Sequence, residues 1–353
     1  MAGDEVGPAS ALAVIIPNLH WRYSGVTATN RAVAPRLAAR VGAAWFGPDA
    51  PEGMPRLTVA ELFALRGRGG RKRMLIWHAR RNDEMMVGLF LKMLGWPLKL
   101  VFTSAGQRHH TWTTRAMIAR MDAVIATSEA SAAFLRCPAA VVLHGVDADR
   151  YRPATDRDAA FAATGFPGKY AIGCFGRVRA QKGTDVFVEA MCRLLPRYPD
   201  FTAVVIGPVT ADQRGFAARL ASRVEQAGLG ARVRFLGELP IDDVPLWYQR
   251  ILIYAFTSRV EGFGLTLLEA MAAGAALVAA RAGGAQYVVS EETGVLVPPG
   301  DVDALVRALE PLLRDPGRAA AMGAKARTRA LAEFSVDAEA ERIAAVYRRL
   351  LDA

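Results

Sequence analysis

Cysteine is scarce in this chain, and its three cysteines are far apart in the sequence. Cys137, Cys174 and Cys192 have neither the paired spacing of a zinc site nor the dense pattern of a disulfide-stabilised secreted domain. A disulfide framework is therefore not the basis of this fold. The scarcity favours a protein that works in a reducing compartment.

Long hydrophobic runs are also missing. The most apolar window covers residues 85–102, and Lys92, Pro97 and Lys99 interrupt it. This pattern predicts a helix followed by a strand, because a membrane-spanning helix needs about 20 consecutive apolar residues. The first five residues, Met-Ala-Gly-Asp-Glu, lack the basic start of a signal peptide. We expect a cytoplasmic protein, or one that attaches to a membrane from the cytosolic side.

Motifs for bound cofactors are absent as well. The first apolar run ends in Ile15-Ile16-Pro17-Asn18 and is not followed by the G-x-G-x-x-G of a dinucleotide-binding protein. Asp147-Ala148-Asp149 is a D-x-D pair of the kind that can hold a divalent metal, and no other group of acids, histidines or cysteines has metal-ligand spacing. We expect no metal and no resident cofactor.

Acidic residues are too few to balance the basic ones, which leaves a formal net charge of +10. The excess is uneven, because residues 1–160 carry 21 Lys or Arg against 13 Asp or Glu. The densest run of cations comprises Arg66, Arg68, Arg71, Lys72 and Arg73. Such a run is either a solvated loop or a contact for an anionic lipid or acceptor. Aromatic residues are not interleaved with the cations, so we expect no nucleic-acid partner.

The chain does contain a regular alternation of short apolar runs with helical patterns. This alternation predicts an α/β protein whose 353 residues form two Rossmann-like domains, each with a parallel sheet, facing a cleft. Strands of a first domain, residues 1–151, are predicted at 12–16, 43–46, 74–77, 98–102, 123–126 and 140–143. Strands of a second domain, residues 170–334, are predicted at 170–175, 203–206, 233–236, 251–256, 276–280 and 295–297. Residues 152–169 lack a strong period and are the predicted linker.

Residues 261–274, with the sequence E-G-F-G-L-T-L-L-E-A-M-A-A-G, combine a glycine-rich turn with the start of a helix. The helix is predicted to begin near Leu265, after the strand at 251–256. Backbone N–H groups at such a helix start can bind phosphate. Glu261 and Glu269 flank that point, and their carboxylates suit the hydroxyl groups of a sugar or a ribose. The segment therefore predicts a nucleotide-sugar site.

A second glycine-containing loop follows the strand predicted at 170–175. It contains Gly176, Arg177 and Lys182 and precedes an amphipathic helix. Two cations at the rim of a phosphate site can neutralise a diphosphate as it leaves, and such charge stabilisation is often the largest catalytic contribution. We expect Arg177 and Lys182 to face the same crevice as Glu261.

The two segments resemble the retaining GT-B glycosyltransferases of family 4. E-G-F-G-L-T-L-L-E is similar to the E-x7-E motif of that family, and G-R-V-R-A-Q-K-G is similar to its G-R-x4-K-G. The resemblance implies that Arg177 and Lys182 contact the donor diphosphate, that Glu261 orients the donor sugar and that Glu269 holds the ribose. The other donor-binding positions that it implies in this half are Gly176, Phe263, Gly264, Leu265 and Thr266.

A third segment, residues 144–153, is similar to the family's N-G-V-D-x-x-x-F-x-P at the junction of the two domains, with His144 in place of the commoner Asn. This junction accounts for Asp147 and argues against a metal-binding D-x-D. In the GT-B fold a terminal helix crosses back onto the first domain. We therefore expect the helical segment at about 335–353 to pack there.

The first domain supplies further candidates. Ser24-Gly25-Val26-Thr27 opens a helix, so the backbone at Gly25 is a candidate contact for phosphate or sugar. The loop after the fourth strand contains Arg108, His109 and His110, and such strand ends line the crevice in open α/β sheets. The resemblance implies that a histidine here contacts the donor sugar. His110 fits the family's H-T pattern better, His109 is the alternative, and Arg108 is a candidate acceptor contact.

Within the family, several segments resemble the mannosyltransferases of lipopolysaccharide core biosynthesis. These segments are residues 16–18, 24–27, 102–108 and 121–128. The resemblance implies transfer of mannose from GDP-mannose, with retention, to a Kdo sugar of the lipid A inner core by a peripheral protein at the cytosolic face of the inner membrane. A family 4 enzyme that uses UDP-glucose or UDP-galactose and another acceptor is the alternative. A non-catalytic nucleotide-binding protein is the third.

Overall fold

Two parallel sheets of six strands each form the framework of the computed structural model, which describes residues 12–21, 25–66 and 74–352. Unit 1 comprises Met1–Gly145 with Val336–Ala353, and unit 2 comprises Val146–Ser335. The predicted α/β fold with one parallel sheet in each half is confirmed, and all twelve predicted strands are present with ends shifted by at most two residues. The units divide at Gly145 and Ser335, whereas the sequence had predicted boundaries at 151 and 334.

The sheet of unit 1 has the strand order β2-β1-β3-β4-β5-β6. Its strands are β1 (Val14–Pro17), β2 (Ala43–Phe46), β3 (Leu75–Ala79), β4 (Leu98–Ser104), β5 (Ala123–Ala126) and β6 (Ala140–Val141). Its helices are α1 (Gly25–Val41), α2 (Val59–Ala64), α3 (Asn82–Met93), α4 (Trp112–Ile118), α5 (Glu129–Ala132) and the C-terminal α14 (Val336–Asp352). The strands are short and mostly apolar, and the fully buried β1 is a continuous hydrophobic run because helices cover both faces of a parallel sheet.

Each face of this sheet carries its own core. Ile16 and Ile76 share one cluster with α1 and with Ile343 and Tyr347 of α14. Trp77 on the opposite face belongs to a second cluster that includes residues of α2, α3 and α4. The alternation of side chains along a strand assigns neighbouring residues to opposite faces, which is why Ile76 and Trp77 belong to different cores.

A buried carboxylate joins the helix α14 to the segment that follows β6. Glu339 is 3% exposed and accepts a hydrogen bond from the backbone N–H of Gly145 at 2.8 Å. Its other oxygen lies 2.9 Å from Nδ1 of His144. His144, at the position where the family commonly has Asn, therefore holds the C-terminal helix in place through Glu339.

The sheet of unit 2 has the strand order β12-β11-β10-β7-β8-β9. Its strands are β7 (Tyr170–Phe175), β8 (Phe201–Ile206), β9 (Val233–Gly237), β10 (Ile251–Phe256), β11 (Ala276–Ala280) and β12 (Gly294–Val297). Its α-helices are α6 (Arg157–Ala162), α7 (Thr184–Leu194), α8 (Arg214–Gln226), α9 (Val244–Arg250), α10 (Leu265–Ala272), α11 (Ala285–Val288), α12 (Val302–Arg314) and α13 (Pro316–Glu333). The chain order reverses between β7 and β10, and open α/β sheets bind ligands outside such a switch point.

The segment predicted as a linker, residues 152–169, is instead part of unit 2. It contains α6, whose Phe161 is 1% exposed. Arg157 donates to the carbonyl oxygens of Ala273 and Gly274, at 3.1 and 2.7 Å, just beyond the end of α10. The linker prediction was wrong because a helix of six residues is too short to show a helical period in the sequence. The residues next to it also include prolines and glycines.

The apolar window at residues 85–102 forms most of α3 and the start of β4, as predicted. Among the residues that the structure describes, no helix combines the length and apolar character needed to cross a membrane.

Replacing Glu339 by Ala should lower the free energy of unfolding of unit 1 by about 3 kcal/mol, because a buried N–H and a buried imidazole lose their charged acceptor. Urea unfolding monitored by hydrogen–deuterium exchange in unit 1 measures the difference. Glu341 is a matched control on the same helix, since it is exposed and pairs with Arg348 at 2.7 Å. The Glu341→Ala variant should unfold like the parent. Equal losses in both variants would contradict the role given to Glu339.

Candidate active site

The loop from β10 to α10 has the glycine-rich geometry that the sequence predicts. Gly264 adopts a φ of +101° at the start of α10, and a Cβ there would lie 3.0 Å from the Phe256 ring, so only glycine fits without strain. Leu265 and Thr266 provide the first backbone N–H groups of the helix. The carbonyl oxygen of Phe263 accepts from the N–H of Gly284 at 2.6 Å, which fixes the loop from the opposite side.

The loop after β7 lies beside this turn, because β7 and β10 are adjacent in the sheet. Lys182 Nζ donates to Glu261 Oε2 in a half-buried ion pair. The structure therefore brings together two of the residues that the sequence predicted to share a crevice. A small open pocket at the strand ends includes Gly176, Lys182 and Thr257 in its lining.

The two loops are joined by backbone and side-chain contacts. The Arg259 N–H donates to the carbonyl of Gln181 at 2.9 Å, and Thr257 Oγ1 donates to the carbonyl of Lys182 at 3.0 Å. Gly183 has a φ of +67°, and a Cβ at this position would come within 1.9 Å of the Thr257 carbonyl oxygen. The close approach of the loops therefore requires glycine at position 183.

Arg259 is a further part of this junction that the sequence had not assigned. Its guanidinium bonds both oxygens of Asp185 on α7, at 2.7 and 2.8 Å. This bidentate contact fixes the loop that carries Glu261 against the helix that follows Lys182. No local pattern identifies the pair, because the two residues are 74 positions apart.

The predicted cation Arg177 has an exposed side chain, and Arg179 beside it is a third cation that the sequence reasoning missed. Burial and the charge of Arg177 both lower the pKa of Arg179. Its Nε is buried without a hydrogen-bond partner in the described part of the chain. A buried guanidinium N–H without an acceptor is suited to an anionic ligand. Gly176, in contrast, donates its backbone N–H to the carbonyl oxygen of Ile206 at 2.7 Å. This N–H is therefore not available to bind a nucleotide sugar.

Glu269 lies on the inner side of α10 and is held by tyrosines. The fully buried Tyr248 donates its hydroxyl to Glu269 Oε2 at 2.7 Å, and the Tyr151 hydroxyl is a second donor. Burial raises the pKa of Glu269, and these hydrogen bonds oppose that rise. Neither tyrosine was predicted, although Tyr151 stands at the aromatic position of the junction motif.

The candidates in unit 1 have distinct surroundings. Gly25 is the first residue of α1. His110 Nε2 lies 3.2 Å from Ser104 Oγ at the end of β4, and burial together with Arg108 lowers its pKa. His109 is exposed and packs edge-on against Phe134 with ring centroids 5.1 Å apart. His110 is therefore the histidine in contact with the end of β4, whereas His109 contacts Phe134.

Of the predicted basic run, the structure describes Arg66 alone. Its guanidinium lies 5.0 Å from the centroid of the Trp96 ring, in a cation–π contact. Arg68, Arg71, Lys72 and Arg73 lie outside the described residues. Arg108, the other predicted acceptor contact, is exposed.

The D-x-D sequence has a structural role. Asp147 Oδ1 accepts hydrogen bonds from the N–H groups of Asp149 and Arg150, at 3.2 and 3.1 Å, and so closes a turn. In the part of the chain that the structure covers, no three or more His, Cys, Asp or Glu residues are grouped so as to hold a metal ion.

Comparison with known proteins finds matches both to the half that holds these loops and to nearly the whole chain. The family model described as glycosyl transferases group 1 matches residues 156–329. The chain is 48% identical to the lipopolysaccharide core biosynthesis mannosyltransferase LpcC of Rhizobium leguminosarum bv. viciae, with 96% of each chain covered. It is 42% identical to the corresponding enzyme LpsB of Rhizobium meliloti, with 96% of this chain and 97% of the relative covered.

Solved structures agree on the fold. The C-terminal domain of the group 1 glycosyl transferase LpcC from Francisella tularensis is 35% identical over 54% of this chain and 99% of that domain, with a TM-score of 0.53. The Anabaena protein HepE, solved with UDP and glucose, is 21% identical over 96% of this chain and all of its own, with a TM-score of 0.78. The chain therefore belongs to the group 1 glycosyltransferases and is a glycosyltransferase of the GT-B fold.

Proposed function

We propose that this enzyme transfers mannose from GDP-mannose to a Kdo sugar of the lipopolysaccharide inner core, with retention at the anomeric carbon. The observation that carries the proposal is the 48% identity, across 96% of both chains, to a mannosyltransferase of lipopolysaccharide core biosynthesis. The cations and glutamates at the switch point of unit 2 support it, because they provide contacts of the right charge for a nucleoside diphosphate sugar.

The leaving group of this reaction is a nucleoside diphosphate. Arg177, Arg179 and Lys182 lie within six residues of one another on the loop after β7. Their positive charges stabilise the negative charge that develops on the diphosphate as the bond to the sugar breaks. The first N–H groups of α10, at Leu265 and Thr266, bind a phosphate oxygen at the positive end of the helix.

Glu261 and Lys182 have linked roles in this scheme. Their ion pair holds the lysine in place and satisfies the carboxylate before the donor binds. When the diphosphate binds, Lys182 contacts phosphate, and Glu261 turns to the hydroxyl groups of the sugar. Glu269, held by Tyr248 and Tyr151, accepts hydrogen bonds from the ribose hydroxyls. In unit 1, His110 is the histidine assigned to a sugar, because it lies at a strand end.

We further propose that the enzyme is peripheral at the cytosolic face of the inner membrane. The basic run at residues 66–73 follows α2 directly in the chain. Phe63 on α2 and Phe90 and Met93 on α3 are more than half exposed in the same unit, which adds apolar contacts suited to the lipid interface. A run of cations and exposed apolar side chains in one unit together suit a surface of anionic lipids.

The donor identity is tested by transfer assays with purified enzyme and a Kdo–lipid A acceptor. GDP-mannose should support acceptor-dependent release of GDP, whereas UDP-glucose and UDP-galactose should release at most a few per cent as much nucleotide. Mass spectrometry of the product should show one added hexose. Turnover with a UDP-sugar and none with GDP-mannose would replace the mannosyltransferase assignment by the alternative donor.

The two glutamates should differ in calorimetry with GDP and with GDP-mannose. Glu269→Ala should weaken both ligands by about tenfold, because the lost partner is the ribose and a charged hydrogen bond contributes roughly 1.5 kcal/mol or more. Glu261→Ala should weaken GDP-mannose but leave GDP binding unchanged or tighter, because Lys182 no longer has an intramolecular partner. Parallel losses for both ligands in both variants would contradict this division of roles.

The membrane proposal is tested by replacing Arg66, Arg68, Arg71, Lys72 and Arg73 with glutamine. Each cation near an anionic surface contributes about 1 kcal/mol, so partitioning onto vesicles that contain phosphatidylglycerol should fall by at least tenfold. The difference should shrink above about 0.15 M salt, where the Debye length is about 8 Å. Transfer to a delipidated acceptor should be unaffected. Unchanged vesicle binding would assign the run to a solvated loop.

A further inference from the structure

The sheet of unit 1 has its own topological switch point, between β1 and β3. β2 lies on one side of β1, and β3 to β6 extend from the other. Ligands of open α/β sheets bind outside the carboxyl ends of the strands at such a point. The donor residues of unit 2 occupy the equivalent position in their own sheet, and in unit 1 the backbone at Gly25, which follows β1, is a candidate contact at this point.

Three polar residues lie at the carboxyl edge of the sheet near this point, and we call them the edge row: Arg80, Thr103 and Thr127. Each lies two positions beyond a residue that faces α1 and α14, namely His78, Val101 and Ile125. Thr103 continues this face within β4, and the charge of Arg80 acts on His78 and Tyr347, which contact each other on the same face. All three are buried, at 8%, 7% and 1% exposure.

Thr103 in the middle of the edge row is already satisfied. Its Oγ1 lies 2.7 Å from His78 Nε2, and the other ring nitrogen of His78 lies 2.5 Å from the Tyr347 hydroxyl. Burial holds the pKa of His78 well below its usual range, so this histidine is neutral at pH 7. The His78 ring therefore adds no positive charge near Arg80.

Arg80 and Thr127 are not satisfied. Arg80 Nε and Thr127 Oγ1 are both buried and have no hydrogen-bond partner among the described residues. The acid nearby in the chain, Glu84, accepts from the backbone N–H of Arg80 at 2.7 Å and from the guanidinium of Arg81 at 3.0 Å. Arg81 also bonds Asn18, so it is held within the unit. Within residues 12–21, 25–66 and 74–352, Arg80 is thus a largely buried guanidinium with no carboxylate in ion-pair contact, an arrangement that is costly unless a ligand supplies the counter-charge.

We propose that Arg80 binds the carboxylate of a sugar acid in the acceptor and that Thr127 bonds a hydroxyl group of the same sugar. The proposal rests on the proposed function, in which the accepting sugar is an acid. A guanidinium matches a carboxylate with two parallel hydrogen bonds. β3 and β5 are two strand spacings apart, about 10 Å, and the register puts Thr127 two residues, about 7 Å, beyond the level of Arg80 and Thr103. One sugar ring and the reach of an arginine together span this separation. One uncompensated positive charge also suits a carboxylate better than a phosphate dianion.

The test is a cycle of two changes, one in the enzyme and one in the acceptor. Arg80→Met keeps the side-chain length and removes the charge, and methyl esterification removes the charge of the acceptor carboxylate. With the native acceptor, Arg80→Met should raise the acceptor KM by about 10- to 100-fold and leave the donor KM unchanged. With the methyl ester, the acceptor KM of the parent enzyme should rise by the same factor. The acceptor KM of Arg80→Met should not rise further with the ester. If Arg80→Met raised the acceptor KM by the same factor for the native acceptor and for the ester, the proposal would be overturned.

Two variants distinguish recognition from a merely structural role. Arg80→Lys keeps a charge but not the paired hydrogen bonds, so it should recover part of the acceptor affinity. Arg56→Met, at an exposed arginine of the same unit, is the control and should match the parent. A donor KM that rises together with the acceptor KM would assign Arg80 to the fold and overturn the proposal. A loss that disappears when the acceptor is dephosphorylated would identify phosphate as the anion and overturn the carboxylate assignment.

Binding of free Kdo without any donor separates this inference from the identity of the donor. Saturation-transfer NMR should detect Kdo on the parent enzyme, with binding weakened at least tenfold in Arg80→Met and weakened less in Thr127→Val. That result supports the edge row even if GDP-mannose fails as a donor, in which case the proposed function alone is wrong. Equal Kdo binding by the parent and Arg80→Met would overturn the assignment of Arg80.

Discussion

The parallel ladder between β7 and β10 is the constraint on which the donor site depends. It pairs Ile172 with Ile253 and Gly173 with Tyr254, residues about 80 positions apart in the chain. Because both strands run in the same direction, the loops that leave them emerge side by side at the same edge of the sheet. The ion pair between Lys182 and Glu261 follows from that placement. Both strands are mostly apolar. The burial that forms the core of unit 2 therefore also brings the charged residues of its site together.

The sequence predicted those parts of the molecule that depend on local pattern. Strands were found because buried apolar runs need no partner to be recognised, and the start of α10 was found because a glycine-rich turn precedes it. Arg259, Arg179 and Tyr248 were missed because their roles arise from residues distant in sequence or from burial. The helix α6 was missed for a different reason, since its six residues are shorter than two turns of periodic signal.

The two sheets use cations at their switch points in different ways. In unit 2 the cations lie on a glycine-containing loop, and one of them, Lys182, is paired with a carboxylate that a ligand can displace. In unit 1 the cation Arg80 follows directly on the strand and is enclosed, while its neighbour Arg81 is held by Asn18 and Glu84. A half-buried, paired cation tolerates the arrival and departure of a diphosphate. An enclosed, uncompensated one discriminates by charge and shape, because its full electrostatic strength is felt only by a group that fits beside it.

The return of α14 to unit 1 determines the order in which the chain can become structured on the ribosome. Unit 2 is continuous in sequence, from Val146 to Ser335, and it can close its core as soon as that stretch has emerged. Unit 1 begins first but has α1 without α14 on one face of its sheet until residues 336–352 are made. The cluster of Ile16 and Ile76 therefore stays incomplete throughout synthesis of the donor-binding half, and the half that is translated first is the last to be completed.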